Sequence, residues 1–186
     1  MVSALSLWAP ILLSALLVFV VSSVIHMFLN WHKNDFRGVP DEDGLMDALR
    51  GFDLAPGNYL FPRPESREVM RSEEFQARAK RGPCAFMTVL RAGDPSDMGK
   101  QFVQWFVYCV VVGLFAGYVT GLALGPGADY MAVFKVASTT AFMGYALAHA
   151  QDAIWMSQGW PATLRSMLDG LIYALLTGGA FGWLWP

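Results

Sequence analysis

The stretch GLFAGYVTGLALG, Gly113–Gly125, places a glycine at every fourth position: Gly113, Gly117, Gly121 and Gly125. Glycine destabilises a helix in water by about 1 kcal/mol relative to alanine, so its regular recurrence needs a physical reason. Helices in lipid associate through close backbone contact, because lipid tails are as apolar as leucine, and small residues permit that contact. Residues four apart lie on one stripe of a helix. The stretch therefore predicts a membrane helix with a flat face for close helix packing.

A second ladder of small residues lies near the C-terminus. Gly170, Ala174, Gly178 and Gly182 repeat the four-residue spacing. Two interpretations follow, because small residues serve any close helix contact. Both ladders join helices within one bundle, or one of them faces outward and contacts a second copy or another integral membrane protein.

Charged residues are concentrated in one segment of the chain. Hydrophobic residues make up 55% of the 186 residues and charged residues 15%, against about 25% charged in an average globular chain. Of the 13 Lys and Arg residues, 11 lie within 33–100, and 12 of the 15 Asp and Glu residues lie within 35–97. The parts of the chain on either side of this charged segment are nearly uncharged, which predicts an integral membrane protein. The net charge of −2 gives no support to nucleic-acid binding.

Four stretches are long and apolar enough to cross a bilayer, whose hydrocarbon core takes about 20 residues. They are about 9–29, 102–124, 130–150 and 166–185. The predicted fold is an all-α membrane protein: a bundle of four transmembrane helices with a small α+β insertion between the first two. The predicted parts are an N-terminal anchor helix in 1–29, the insertion in 30–101 and a three-helix membrane region in 102–186.

Basic residues beside these stretches predict the orientation. Lys33, Arg37, Lys100 and Arg165 border the ends that we expect to lie together, and the opposite ends carry no Lys or Arg outside the spans. Positive residues favour the cytoplasmic side. Both termini are therefore predicted to be periplasmic and residues 30–101 cytoplasmic.

The insertion carries local signals for helices and strands. Ser72 is predicted to cap a helix that Gly82 ends. The β-prone run 84–90 is predicted to pair with 59–61. Asp94–Pro95 suits the start of the second membrane helix.

Few ionisable side chains lie near the predicted spans. His26, His149 and Asp152 are the candidate metal or haem ligands, at a depth similar to that of His32 and Asp169. Imidazole and carboxylate bind divalent metals, and two imidazoles ligate haem. The alternative is interfacial hydrogen bonding, because ionisable side chains are less costly there than at the bilayer centre. No cofactor is otherwise predicted.

Motifs for catalysis are missing from the sequence. It has no serine elbow, phosphate-binding loop or paired-carboxylate motif, and so gives no support to an enzyme. Cys84 and Cys109 lack metal or redox spacing and are predicted to be free thiols.

Four stretches carry a resemblance to known proteins: WHKNDF (31–36), PDEDGLMDALR (40–50), PGNYLFPRP (56–64) and DGLIYALLTGGAFGWLWP (169–186). They resemble a group of small bacterial inner-membrane proteins to which no activity is attached. The resemblance implies a bacterial cytoplasmic membrane and no particular site residue.

The combined features predict an accessory, scaffold or assembly protein that acts through helix packing and its cytoplasmic insertion. One alternative is a small homo-oligomeric channel or transporter, with a pore lined by residues such as Ser138, Thr139 and Asp152. A second alternative is a metal- or haem-binding membrane redox subunit. We carry all three forward as hypotheses.

Overall fold

The chain divides into two compact units. The computed structural model describes residues 2, 4–93 and 98–186. The helical unit comprises Met1–Arg37 with Asp97–Pro186, and the insertion unit comprises Gly38–Ser96. Residues 30–37 were expected in the insertion but belong to the helical unit. The predicted cap Asp94–Pro95 lies outside the described residues.

The described residues are mostly helical, with one small sheet. In chain order the elements are α1 (Trp8–Phe28), α2 (Glu42–Arg50), β1 (Gly57–Phe61), α3 (Arg67–Arg71), α4 (Glu73–Arg81), β2 (Ala85–Val89), α5 (Gly99–Ala123), α6 (Tyr130–Phe142), α7 (His149–Trp155) and α8 (Trp160–Trp183). There are 3-10 turns at Ala4–Leu7 and Asn30–His32, and a π-helical turn at Met143–Leu147.

Within the part of the chain that the structure describes, three helices are long and apolar enough to cross a membrane: α1, α5 and the continuous helix Tyr130–Trp155, which contains α6, the π turn and α7. Large hydrophobic side chains such as Leu16, Val107 and Phe115 are exposed on α1 and α5. Such apolar outer surfaces are typical of a membrane-spanning protein. The fourth predicted span, α8, is not among the three, and Arg165 and Asp169 lie in its first half.

The long helices pack closely through small side chains. Helix α1 contacts α5 and α8, and α6 contacts α5 and α8. The alanines at the centre are fully or almost fully buried: Ala15, Ala116, Ala137, Ala141 and Ala174. Small side chains allow this short separation between helix backbones.

The C-terminal ladder lies in the contact between α8 and the helix 130–155. An ideal Cβ atom on Gly170 would lie 2.8 Å from the Cβ atom of Ala146 and 2.8 Å from the carbonyl oxygen of Tyr145. A Cβ atom on Gly178 would lie 2.9 Å from the carbonyl oxygen of Phe134. A Cβ atom on Gly182 would lie 2.7 Å from the ring of Tyr130. These glycines face other helices of the same chain.

The α5 ladder has looser surroundings. A Cβ atom on Gly113 would lie 3.3 Å from Ser14 Oγ, and one on Gly121 would lie 3.3 Å from the carbonyl oxygen of Val2. A Cβ atom on Gly117 would meet the ends of the Phe181 and Leu7 side chains at 3.1 and 3.2 Å. Gly125 follows the end of α5, and a Cβ atom there would meet nothing within 4 Å in the described part of the chain.

The insertion unit confirms the local predictions. Strands β1 and β2 pair antiparallel, with Tyr59 opposite Met87 and Phe61 opposite Ala85. The hydroxyl of Ser72 accepts a hydrogen bond from the backbone N–H of Phe75 at 3.2 Å and caps α4. Helix α4 ends at Gly82, whose φ of 61° lies in the left-handed region that glycine adopts readily.

Candidate functional site

A cavity of about 640 Å³ lies within the helical unit, beside the end of α1 and the first half of α8. Aromatic side chains form one part of its wall: Phe102, Trp105, Tyr108 and Tyr145. Polar and ionisable side chains form another part: Ser22, His26, His149, Asp152, Asp169 and Tyr173. The cavity therefore combines an aromatic surface with titratable groups.

Local backbone structure shapes this cavity. The π turn supplies Gly144 and Tyr145 to the wall, and the Tyr108 hydroxyl donates a hydrogen bond to the carbonyl oxygen of Gly144 at 2.6 Å. Gly170 lets α8 approach the π turn closely, because any larger residue would collide with the Tyr145 backbone. The neighbouring Asp169 is thereby held in the cavity wall. Turns of π-helix occur frequently at functional sites.

An ion-pair network joins the chain after α1 to the start of α8. The Nε2–H group of His32 donates to Asp169 Oδ2 at 2.6 Å, and the Nδ1–H group donates to Asp35 Oδ2 at 2.5 Å. Arg165 donates from Nε to Asp35 Oδ1 at 2.8 Å and also from Nη2 to the same oxygen. With both ring nitrogens donating, His32 is cationic, and the four side chains carry two positive and two negative charges.

The network shifts the pKa of two of its members. Burial alone would lower the pKa of His32, but the hydrogen bonds and negative charges of Asp35 and Asp169 outweigh it and raise that pKa above its ordinary value. Burial alone would raise the pKa of Asp35. The hydrogen bonds and positive charges of His32 and Arg165 prevail and hold that pKa below its ordinary value.

His26 lies next to this network. Its ring stacks on the ring of His32, with the centroids 4.5 Å apart and an interplanar angle of 26°. Its Nδ1 lies 3.2 Å from the carbonyl oxygen of Ser22, which only accepts hydrogen bonds, so Nδ1 carries the proton. In the neutral ring, Nε2 therefore carries the free lone pair.

Two buried polar atoms beside the network have no hydrogen-bond partner among residues 2, 4–93 and 98–186. They are Asp169 Oδ1 and the hydroxyl oxygen of Tyr173. Asp169 is 3% exposed and Tyr173 is 4% exposed, so bulk water does not compensate these atoms. A buried polar group without a partner costs about 1–3 kcal/mol, and more for a charged group. Each such atom calls for a partner, such as a water molecule, an ion or a ligand.

The structure groups the predicted ligands differently from the sequence analysis. One ligand atom from each of His26, His32 and Asp169 lies within 4.8 Å of the other two. His149 and Asp152 line the same cavity but are outside this group. Asp35 and Arg165, which support His32, were not candidates in the sequence analysis. The spacing of His32 and Asp35 was a signal for their pairing, but the 137 residues between His32 and Asp169 left no local signal.

Among the predicted pore residues, Ser138 makes a local contact, and Asp152 lines the cavity. The hydroxyl of Ser138 donates to the carbonyl oxygen of Phe134 at 2.6 Å, within its own helix. Thr139 is exposed on the outer surface of α6. Serine and threonine in membrane helices commonly bond to their own backbone in this way.

Comparison of the chain with models of protein families, with curated proteins and with solved structures found no match.

Proposed function

We propose that this protein is an integral membrane protein that binds a small amphiphilic molecule in the cavity beside α1 and α8. The observation that carries the proposal is the pair of buried polar atoms, Asp169 Oδ1 and the Tyr173 hydroxyl, that lack a partner among the described residues and belong to cavity-lining side chains. A ligand with a hydrogen-bond donor, such as a hydroxyl or amine, would satisfy the carboxylate oxygen. Its apolar part would contact the aromatic wall.

The size and walls of the cavity support this function. Ligand sites typically enclose about 300–1,000 Å³ and combine apolar walls with a few placed polar groups. The cavity of about 640 Å³ lies within that range. Met27 and Met98 line it and are exposed, so a molecule from the membrane or its surface has a route of entry.

The proposal includes α8 as a fourth membrane span. Asp169 pairs with His32 and Arg165 pairs with Asp35, which reduces the cost of placing these charges near lipid. The remainder of α8 is apolar and packs against α1 and α6. With Lys33, Arg37, Lys100 and Arg165 on the cytoplasmic side, the cavity opens at the cytoplasmic face of a bacterial inner membrane.

The accessory or scaffold role and the oligomeric channel stay predictions. The scaffold hypothesis rested on the two ladders of small residues, the cytoplasmic insertion and the missing catalytic motifs, and a ladder that faces outward would have been one docking face. Gly113, Gly117, Gly170 and Gly178 instead lie against helices of their own chain. The cavity therefore supports ligand binding better than either alternative.

Small-molecule retention by the full chain tests the proposal. The protein would be purified in lipid nanodiscs, and bound molecules would be extracted and quantified by mass spectrometry against empty nanodiscs. We expect one class of amphiphile to be enriched at about one molecule per chain. Ser166 also lines the cavity. In Ser166→Phe, which places a ring there, the enrichment should fall at least tenfold.

Leu168→Phe is the matched control, because Leu168 lies on the same helix but is exposed and does not line the cavity. It should retain as much amphiphile as the wild type. Wild-type protein with no molecule above the nanodisc background would contradict the proposal, and so would equal retention by the folded Ser166→Phe variant.

A further inference from the structure

We propose that His26, His32 and Asp169 together bind one divalent first-row transition-metal ion at the polar end of the cavity. This inference concerns the same cavity and rests on the proposed function only in treating that cavity as a binding site. The ion is assigned from the donor atoms and their support, as follows.

The three donors converge from two distant parts of the chain. One ligand atom from each lies within 4.8 Å of the others. Ligand atoms around an ion at about 2.0–2.2 Å are roughly 3–3.5 Å apart, so closing the site requires the donor atoms to rearrange and the stacked rings of His26 and His32 to rotate until both lone pairs point at the ion. The proton between His32 Nε2 and Asp169 Oδ2, which are 2.6 Å apart, occupies the place that the ion would take.

Both histidines make the outer hydrogen bond that metal-binding imidazoles usually make. A metal-binding imidazole almost always donates its other N–H group to a carboxylate or a backbone carbonyl, which fixes the ring and its tautomer. His26 Nδ1 donates to the carbonyl oxygen of Ser22, and His32 Nδ1 donates to Asp35. Arg165 in turn holds Asp35. In His26, Nε2 is the atom left for the metal, whereas in His32 the ion would displace the Nε2 proton, which would leave to water.

The buried atom Asp169 Oδ1 gives independent support. Asp169 is 3% exposed, and this oxygen has no partner anywhere in the part of the chain that the structure describes. An ion bound by both carboxylate oxygens, or a water molecule on the ion, would satisfy it. Tyr173 follows Asp169 by one helical turn, and its hydroxyl also lacks a partner among the described residues.

The donor set selects the class of metal. Two imidazoles and one carboxylate suit Zn²⁺, Fe²⁺, Co²⁺ and Mn²⁺, and leave coordination positions open. These positions would face the amphiphile in the cavity. The set does not suit haem, because the stacked rings of His26 and His32 leave no space for a porphyrin between them.

Metal titration of the purified full chain tests the site. The protein would be prepared without a polyhistidine tag, stripped with a chelator and titrated with Co²⁺ by visible absorption and with Zn²⁺ by calorimetry. We expect one ion of each metal per chain. His26→Gln should weaken binding at least 100-fold, and His149→Gln, which removes an imidazole from the same cavity, should change it less than threefold.

His26→Gln is decisive, because the imidazole forms its hydrogen bond only with its own helix and its loss should leave the fold intact. Unfolding temperatures would verify this. Wild-type protein with no saturable single site, or a folded His26→Gln variant with wild-type affinity, would overturn the inference. So would loss of binding in His149→Gln. Because metal alone is the probe, these outcomes are independent of amphiphile retention.

Discussion

Gly170→Ala is expected to weaken the contact between α8 and the π turn. The new methyl group would lie 2.8 Å from the Cβ atom of Ala146, whereas carbon atoms pack best at about 3.5–4.0 Å. Overpacking costs about 1–3 kcal/mol, and alanine returns up to about 1 kcal/mol of helix propensity. We expect a net loss of roughly 1–2 kcal/mol, which lowers the unfolding temperature by about 2–8 °C in a chain of this size.

The buried thiol of Cys109 reports this unfolding. Cys109 is fully buried in the core, and Cys84 is exposed, so the assay uses a Cys84→Ser background. A thiol-reactive fluorophore would label Cys109 as heating opens the helices in detergent. The midpoint of labelling then measures the stability of the helical unit.

Alanine substitutions at two further glycines serve as comparisons for Gly170→Ala. Gly117→Ala should cost less than Gly170→Ala, because the new methyl group meets the ends of the flexible Phe181 and Leu7 side chains rather than backbone. Gly125→Ala should be neutral, since nothing described lies within 4 Å of the added atom. Equal midpoints for Gly170→Ala and wild type, or an equal loss in Gly125→Ala, would refute the packing argument.

Three further results are expected. Asp35→Asn should weaken Zn²⁺ binding about 10–100-fold in the metal titration, because it removes the charge that supports His32; unchanged affinity would contradict that role. In metal-free protein, the ion-pair network around His32 gives its full contribution to folding stability between about pH 3.9 and pH 6.5. Its contribution is lost as pH falls through the lowered pKa of Asp35 and as pH rises through the raised pKa of His32; thermal midpoints measured from below to above this range check it, and midpoints that do not fall on either side would count against it. Trp105→Phe removes the hydrogen bond to Ser22 Oγ at 2.8 Å and should cost about 1 kcal/mol in the Cys109 assay; an unchanged midpoint would show that the bond is not stabilising.

Local sequence patterns were sufficient to predict much of the fold. The two ends of α4, at Ser72 and Gly82, were predictable because helix capping and left-handed backbone geometry depend on the type of the residue itself. The pairing of the run 84–90 with 59–61 followed from two β-prone runs in one short insertion, whereas the register came only from the structure. The π turn at Met143–Leu147 had no such signal, because the hydrophobic pattern continues through it.

The candidate site was predictable only in part. His26 was identified because ionisable residues are rare near a membrane span. Its grouping with His32 and Asp169 depends on how residues 30–37 return to α8, which the residue pattern did not indicate. His149 and Asp152 were assigned by depth alone, and depth does not distinguish the cavity wall from the ligand group.

The π turn sets the helical phase between α6 and α7. A regular helix advances about 100° per residue, so a segment with one residue fewer would rotate everything after it by that angle. α6 would keep its contact with α8 through Ala137 and Ala141, while His149 and Asp152 would turn away from the cavity. Removing a single residue from this helix would thus change which side chains line the cavity.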